Sequence, residues 1–280
     1  VENRKDFFSS ISRTSPEIKI IKLVDCLGVL PIGIPIGETL ERSLVGKDWR
    51  LKEEKELGQA LEKVEASRMG QYVSTVLSIL CTQIGNHEFS KMKDGERRLV
   101  VNQMWIADVL YTYLWLRMQT MGNMLQMETQ CVHCGNKSSF GADLNTVEVS
   151  TVESMAKAYW KYDLESPIQV RGKQIVGFVM GPAKWTAIDS LGSRVRNMGA
   201  MKDSLIKGSI HWLLGSDDFF PFGPNELDEL RKRDIEDITE RLDKNSLGPD
   251  MSIDEECEVC GKSFRTSLDW RAKGFFGISS

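Results

Sequence analysis

The chain has 280 residues and a formal net charge of -4 at pH 7. That length accommodates one large domain or two ordinary ones, and it can bury a core without relying on a metal for all its stability. The charge balance argues against a protein that coats nucleic acid. Six cysteines in so long a chain do not form a secreted disulfide framework, and four of them fall in two C-x-x-C pairs, which in a reducing compartment reads as metal.

The opening residues Val1 to Lys5 lead into no long apolar core, so no secretory signal is expected. Ile18 to Ile36 is apolar but carries Lys19, Lys22, Asp25, Pro31 and Pro35, a poor membrane span. The first fifty residues read as a partly extended arm anchored by Phe7 and Phe8. Ile18, Ile20, Ile21, Leu23 and Val24 favour a strand. Gly28, Pro31, Gly33, Pro35 and Gly37 punctuate a loop.

Glu38 to Leu44 is a short helix candidate. Leu51 to about Ile84 has helical spacing, with Gly58 and Gly70 as points where it could break. Leu99 to Met121 is apolar nearly all round, interrupted by Asp108 and Arg117, and so belongs at the centre of a core. Gly122-Asn123 ends it. Alternation then takes over: Leu125, Met127 and Thr129 lead into Cys131, and Phe140, Ala142 and Leu144 lead away from Cys134. That pattern is a hairpin with a C-x-x-C at its tip.

Tyr162–Val170 and Gln174–Met180 form a second expected hairpin, turned at Arg171-Gly172-Lys173. Trp185–Met198 and Met201–Leu214 read as helices, followed by a polar loop from Ser216 to Pro224. Asn225 to Leu242 reads as an amphipathic helix with Asn225 as N-cap. Ser252 and Ile253 then precede Cys257, and Phe264 and Leu268 follow Cys260, repeating the first tip. The expected class is α+β: a helical core with β-hairpins and a zinc ribbon assembled from two distant knuckles. The expected divisions are an arm (1–50), a helical region (51–124), the first knuckle hairpin (125–145), an α+β insert (146–249), and the second knuckle with its tail (250–280).

The chemistry concentrates in Cys131-Val132-His133-Cys134-Gly135 and Cys257-Glu258-Val259-Cys260-Gly261. Two-residue spacing lets both thiolates of a tight turn face one ion, and the trailing glycine can adopt positive φ beneath it. Cys131, Cys134, Cys257 and Cys260 together make a closed tetrahedral site, which suits a structural Zn2+ with no open position for substrate. Two unrelated thiol pairs, or a reduced and empty site, are the alternative, and an iron–sulfur cluster ranks below zinc. His133 could replace a thiolate but reads better as an exposed tip residue. His87 and His211 have no catalytic spacing, and His211 reads as a packed histidine. Cys26 and Cys81 read as buried free thiols. Asp217-Asp218 and Glu255-Glu256 read as solvated loop charge. No phosphate loop, dinucleotide pattern or nucleophile elbow occurs, so no enzyme and no small-molecule substrate is expected. Trp270, Arg271, Lys273, Phe275 and Phe276 read as a tail that packs on its own domain or on a partner protein.

In the order of its elements the sequence resembles the T4-type baseplate hub proteins of contractile-tailed bacteriophages, in their zinc-knuckle-bearing versions. The resemblance rests on an apolar helix with Asp108 and Arg117 closing on Met121-Gly122, a strand to Cys131-x-x-Cys134-Gly135, and a helix like Asp228 to Leu242. Gly248-Pro249-Asp250 then leads to Cys257-x-x-Cys260-Gly261 and a run like Gly274-Phe275-Phe276. It covers roughly residue 38 onward. The resemblance implies a virion tail or baseplate component, made in the host cytoplasm and held among other baseplate or tail proteins, or an assembly factor absent from the mature particle. A nucleic-acid-binding zinc-ribbon protein is the competing reading; it requires more positive charge than Lys137, Arg265, Arg271 and Lys273 supply beside Glu255, Glu256, Glu258 and Asp269.

Overall fold

A computed structural model describes residues 8, 10–12, 15–36, 39–64, 68–191, 198–215, 218–223 and 230–268. Strand β1 (Lys19–Lys22) runs into a 3-10 turn, and β2 (Val29–Ile36) and β3 (Thr39–Gly46) pair antiparallel. Helices α1 (Leu51–Leu61) and α2 (Met69–Leu80) follow, then the short strands β4 (Cys81–Ile84) and β5 (His87–Glu88). Helix α3 (Asp94–Gln103) leads to α4 (Ile106–Met121), which delivers the chain to the hairpin β6 (Met124–Gln130) and β7 (Lys137–Asp143). After β8 (Glu148–Thr151) and the single turn α5 (Met155–Ala158) comes the long hairpin β9 (Trp160–Val170) and β10 (Lys173–Met180). The chain continues through α6 (Thr186–Asp189), α7 (Met198–Ser209), β11 (Ile210–Gly215), β12 (Phe219–Pro221) and α8 (Lys232–Lys244). It closes on β13 (Gly248–Pro249) and the hairpin β14 (Ser252–Glu256) and β15 (Ser263–Ser267).

The expected mixture of helix and strand is present, but several segments differ from their periodicity. Residues 39–46 form a strand, not a helix. Leu40 and Leu44 are one helical turn apart and also two strand repeats apart, so spacing alone does not discriminate; pairing with both β2 and β4 settles it. The loop read over 28–37 is largely β2. The helix read over 51–84 breaks between Leu61 and Met69, and its last four residues turn into β4. Gly58 stays inside α1, whereas Gly70 faces the Asp189 backbone so closely that a Cβ would sit 2.6 Å from its Cα.

The apolar run from Leu99 to Met121 is two helices. Trp105 breaks it by adopting an extended backbone and bridging to Lys184. The segment read as helix over 201–214 switches to strand at Ile210, because Ile210–Gly215 inserts between β10 and β12. Of the helix read over 185–198, Thr186–Asp189 is helical and residues 192–197 lie outside the described residues. The amphipathic helix near the C-terminus begins at Lys232; its expected cap Asn225 lies outside the described residues, as do Phe7, Gly37, Glu38, Asp217, Leu227, Asp228 and everything from Asp269 onward.

The β9–β10 hairpin turns at Arg171-Gly172 as expected, both at positive φ, the geometry of a two-residue type I′ turn. The sheet β12-β11-β10-β9 packs on both faces. Phe178, Met180 and Leu213 join the cluster that reaches α7 and α8, while their neighbours Val179 and Leu214 join Phe8 and Ile11 of the N-terminal arm. Phe8 is buried and stacks on Phe219 with ring centroids 3.7 Å apart.

Helix α4 organises the rest. Val109, Tyr111, Tyr113, Leu114, Trp115 and Leu116 are all buried, so the helix is covered on every side. Its two buried charged groups hold backbone that no ladder satisfies. The Asp108 carboxylate accepts from the Ile32 and Gly33 N–H groups at 2.8 and 3.0 Å. Burial pushes its carboxyl up to about 7, against those two donors and the nearby Arg42 and Lys184, which pull it down. Arg117 donates to the Gly122 carbonyl at 2.7 Å and the Met124 carbonyl at 3.2 Å, tying the helix end to the start of β6. Near the other end, Gly248 of β13 lies against Ala107. It has φ of +95°, and a Cβ there would come 2.8 Å from the Ala107 Cα, so only glycine allows this approach.

Asp108→Ala leaves two buried N–H groups without acceptors and should cost about 2–4 kcal/mol of stability, read from urea unfolding midpoints. A change below about 0.5 kcal/mol would show that water replaces the carboxylate.

Candidate metal centre

Both hairpins root in the main core. Leu125 and Met127 of β6, Ala142 of β7 and Leu268 just past β15 are buried in the same cluster as α2 and α4. The second hairpin is also stitched at its base: Asp250 N–H donates to the Glu148 carbonyl at 2.7 Å, and Leu268 N–H donates to the Met251 carbonyl at 2.6 Å. Arg265 pairs with Asp250 at 2.9 Å across the same base.

The tips share one construction. Cys131 N–H donates to the Asn136 carbonyl and Gly135 N–H to the Cys131 carbonyl, at 2.8 and 2.9 Å. Cys257 N–H donates to the Lys262 carbonyl and Gly261 N–H to the Cys257 carbonyl, at 3.1 and 2.8 Å. Gly135 and Gly261 have φ of +72° and +65°, the left-handed turn expected of them. The turn directs an N–H at sulfur: His133 N–H points to Cys131 Sγ at 3.4 Å.

The two tips meet. Cys131 and Cys260 sulfurs are 3.8 Å apart, and Cys134 and Cys257 sulfurs 3.6 Å apart. All four sulfurs lie within 4.8 Å of one another. These separations are far too long for disulfides, whose sulfurs bond at about 2.05 Å. They match the edges of a tetrahedron in which an ion binds each sulfur at about 2.3 Å, since such edges are about 3.8 Å. The donor set therefore fits a tetrahedral, thiophilic metal ion. Cys131 and Cys257 are buried with Phe264, Cys260 is half-buried and Cys134 is exposed.

The protons respond to this crowding. The backbone N–H groups of Cys260 and Val259, helped by neighbouring thiols, hold Cys257 down to about 7. At Cys134 the Asn136 N–H pulls the other way, yet desolvation and three neighbouring sulfurs push it up to about 11. Four sulfurs so close cannot all ionise without a cation among them. Metal binding at neutral pH therefore releases protons, and affinity falls as pH falls.

Two further contacts join the hairpins. Thr129 and Thr266 hydroxyls lie 3.1 Å apart, and the His133 ring Nε2 lies 3.1 Å from the Ser263 carbonyl. His133 is exposed, as expected, but it also bridges the tips; spacing within one knuckle holds no sign of a partner 130 positions away. His211 is packed as expected, with its ring against Tyr159 and on the Pro182 carbonyl, and burial lowers its pKa to about 4. Cys26 and Cys81 are buried away from the cluster, and burial raises both thiols. Asp218, Glu255 and Glu256 gather no metal-binding group among the described residues.

No helix among the described residues is long and apolar enough to cross a membrane. No protein-family model, curated protein or solved structure matches the chain.

Cys257→Ser removes a buried ligand and should abolish stoichiometric metal binding while costing more than about 4 kcal/mol, by metal analysis and urea unfolding. Cys26→Ala should retain the metal. Equal metal content in the two variants would overturn the site.

Proposed function

We propose that the chain is a non-enzymatic structural component of a contractile-tail phage baseplate or hub, held in shape by one structural Zn2+ and docking on other baseplate or tail proteins. The observation that carries this reading is the cluster of four sulfurs at the tips of two hairpins rooted in one core. Four thiolates saturate a tetrahedral ion, leaving no coordination position for a substrate or an activated water. Zinc fits better than iron or copper in such a set, because it has no redox chemistry and no geometric preference that opposes a tetrahedron. The resulting element is a zinc ribbon assembled from distant parts of the chain, whose work is to present a surface.

That surface has a composition suited to protein contact. Val132 and Val259, one on each tip, are 73% and 67% exposed, the highest values among the exposed large apolar residues described. A rigid platform with apolar tips limits the ordering cost of docking. Arg265, one of the few basic residues near the knuckles, is already paired with Asp250, which weakens the case for a nucleic-acid face. The resemblance in element order supplies the baseplate context: assembly in the host cytoplasm and residence in the virion.

The test is genetic and biochemical together. Phage carrying Cys257→Ser with Cys260→Ser should form few infectious particles. Val132→Asp with Val259→Asp should keep one zinc per chain yet lose association with baseplate intermediates. Normal particle yield from the cysteine variant would overturn the structural role. Finding the wild-type chain only on intermediates, never in purified particles, would make it an assembly factor instead. Salt-dependent DNA binding would favour the nucleic-acid reading.

A further inference from the structure

Away from the sulfur cluster, a cavity of about 340 Å³ opens where α3 gives way to α4. Ile34 and Pro35 of β2, Leu99 and Val100 of α3, and Met104 make it predominantly apolar. Its size lies at the lower end of small-ligand pockets, and an apolar lining with a few placed polar groups is their usual character. Leu99 is 64% exposed at the cavity, an uncovered aliphatic side chain on a helix face shared with Glu96, Asn102 and Gln103.

One wall is built to hold a cation in place. The Trp105 indole N–H donates to the Gly33 carbonyl at 3.0 Å, which fixes the ring. Lys184 lies over that ring with Nζ 4.0 Å from its centroid, and it donates to the Gln103 carbonyl at 2.7 Å. Backbone bonds on either side, Ile106 N–H to the Ala183 carbonyl and Trp185 N–H to the Met104 carbonyl, lock the lysine against the α3–α4 junction. An ammonium group has three N–H donors, and Gln103 accounts for one of them. Lys184 is the one formally charged side chain among the described residues that line the cavity.

We propose that this cavity is a binding site for a small apolar monocarboxylate, its hydrocarbon body against Leu99, Val100, Met104 and Ile34 and its carboxylate on the Lys184 ammonium. Charge complementarity selects the anion: Lys184 is the fixed cation of the lining, His87 adds a second nitrogen base, and the buried Asp108, which interacts with Lys184 but does not line the cavity, offsets part of that charge. The wall is pre-organised by bonds that exist without the ligand, so little ordering is required on binding. The site is independent of the metal reading, since no cysteine of the cluster contributes to it.

Octanoate, octylamine and octanol share a chain and differ in head-group charge, so titrating each into the full zinc-loaded chain by calorimetry tests the proposal. Octanoate should bind one-to-one and at least about tenfold more tightly than octylamine. Lys184→Met keeps the apolar stem and removes the charge; it should weaken octanoate about tenfold and leave octanol unchanged. Octylamine binding as well as octanoate, octanoate indifferent to Lys184→Met, or no saturable octanoate binding would each overturn the proposal. If Lys184→Met does not fold, the comparison of octanoate with octylamine on the wild-type chain decides it alone.

Discussion

Four thiols within 4.8 Å of one another resist ionisation together, yet as thiolates they have the geometry of a metal tetrahedron. That tension is the constraint on which the meeting of the two knuckle hairpins depends. Each knuckle hairpin is a two-stranded sheet rooted at one end in the core, and two strands alone are marginally stable at best. The sulfurs that meet are 123 and 129 positions apart in sequence. Loop-closure cost grows only logarithmically, about 0.6 kcal/mol for each doubling of length. A structural zinc contributes on the order of 10 kcal/mol in small peptides, enough to offset such a closure many times over.

The helix beneath makes the meeting geometrically available. Arg117 fixes where β6 begins, and the close approach of Gly248 to Ala107 fixes where the path to β14 begins. Strand β8 lies between β1 and β13, so Lys19–Lys22 and the Gly248–Pro249 segment that leads to β14 are braced on a common strand. Buried charge is costly unless satisfied. Here the backbone groups that Asp108 and Arg117 hold offset part of that cost, while burial still raises the Asp108 carboxyl to about 7 and leaves Arg117 Nε without a hydrogen-bond partner. What reads in sequence as two interruptions of an apolar helix is the means by which that helix holds its neighbours.

The cysteines were the most legible part of the chain, because ligand spacing and trailing glycine are local and chemically restrictive. The hairpins β6–β7 and β9–β10 were equally legible, since period-two alternation flanked a turn. Helix boundaries were not. Trp105 ends one helix and starts another through a backbone bridge to Lys184, about eighty positions away, and no local signal encodes that. Ile210–Gly215 carries enough leucine and isoleucine to read as helix, and only its insertion between two strands makes it β. The cavity beside Lys184 was invisible for the same reason: its lining comes from β2, β5, the α3–α4 junction and Lys184, which lie far apart in sequence.

X-ray absorption at the zinc edge of the purified chain tests the central claim most directly. The account predicts one zinc per chain with four sulfur neighbours at about 2.3 Å. A first shell containing nitrogen or oxygen would contradict it, because one of the four cysteines would then lie outside the site and an open or exchangeable position would exist.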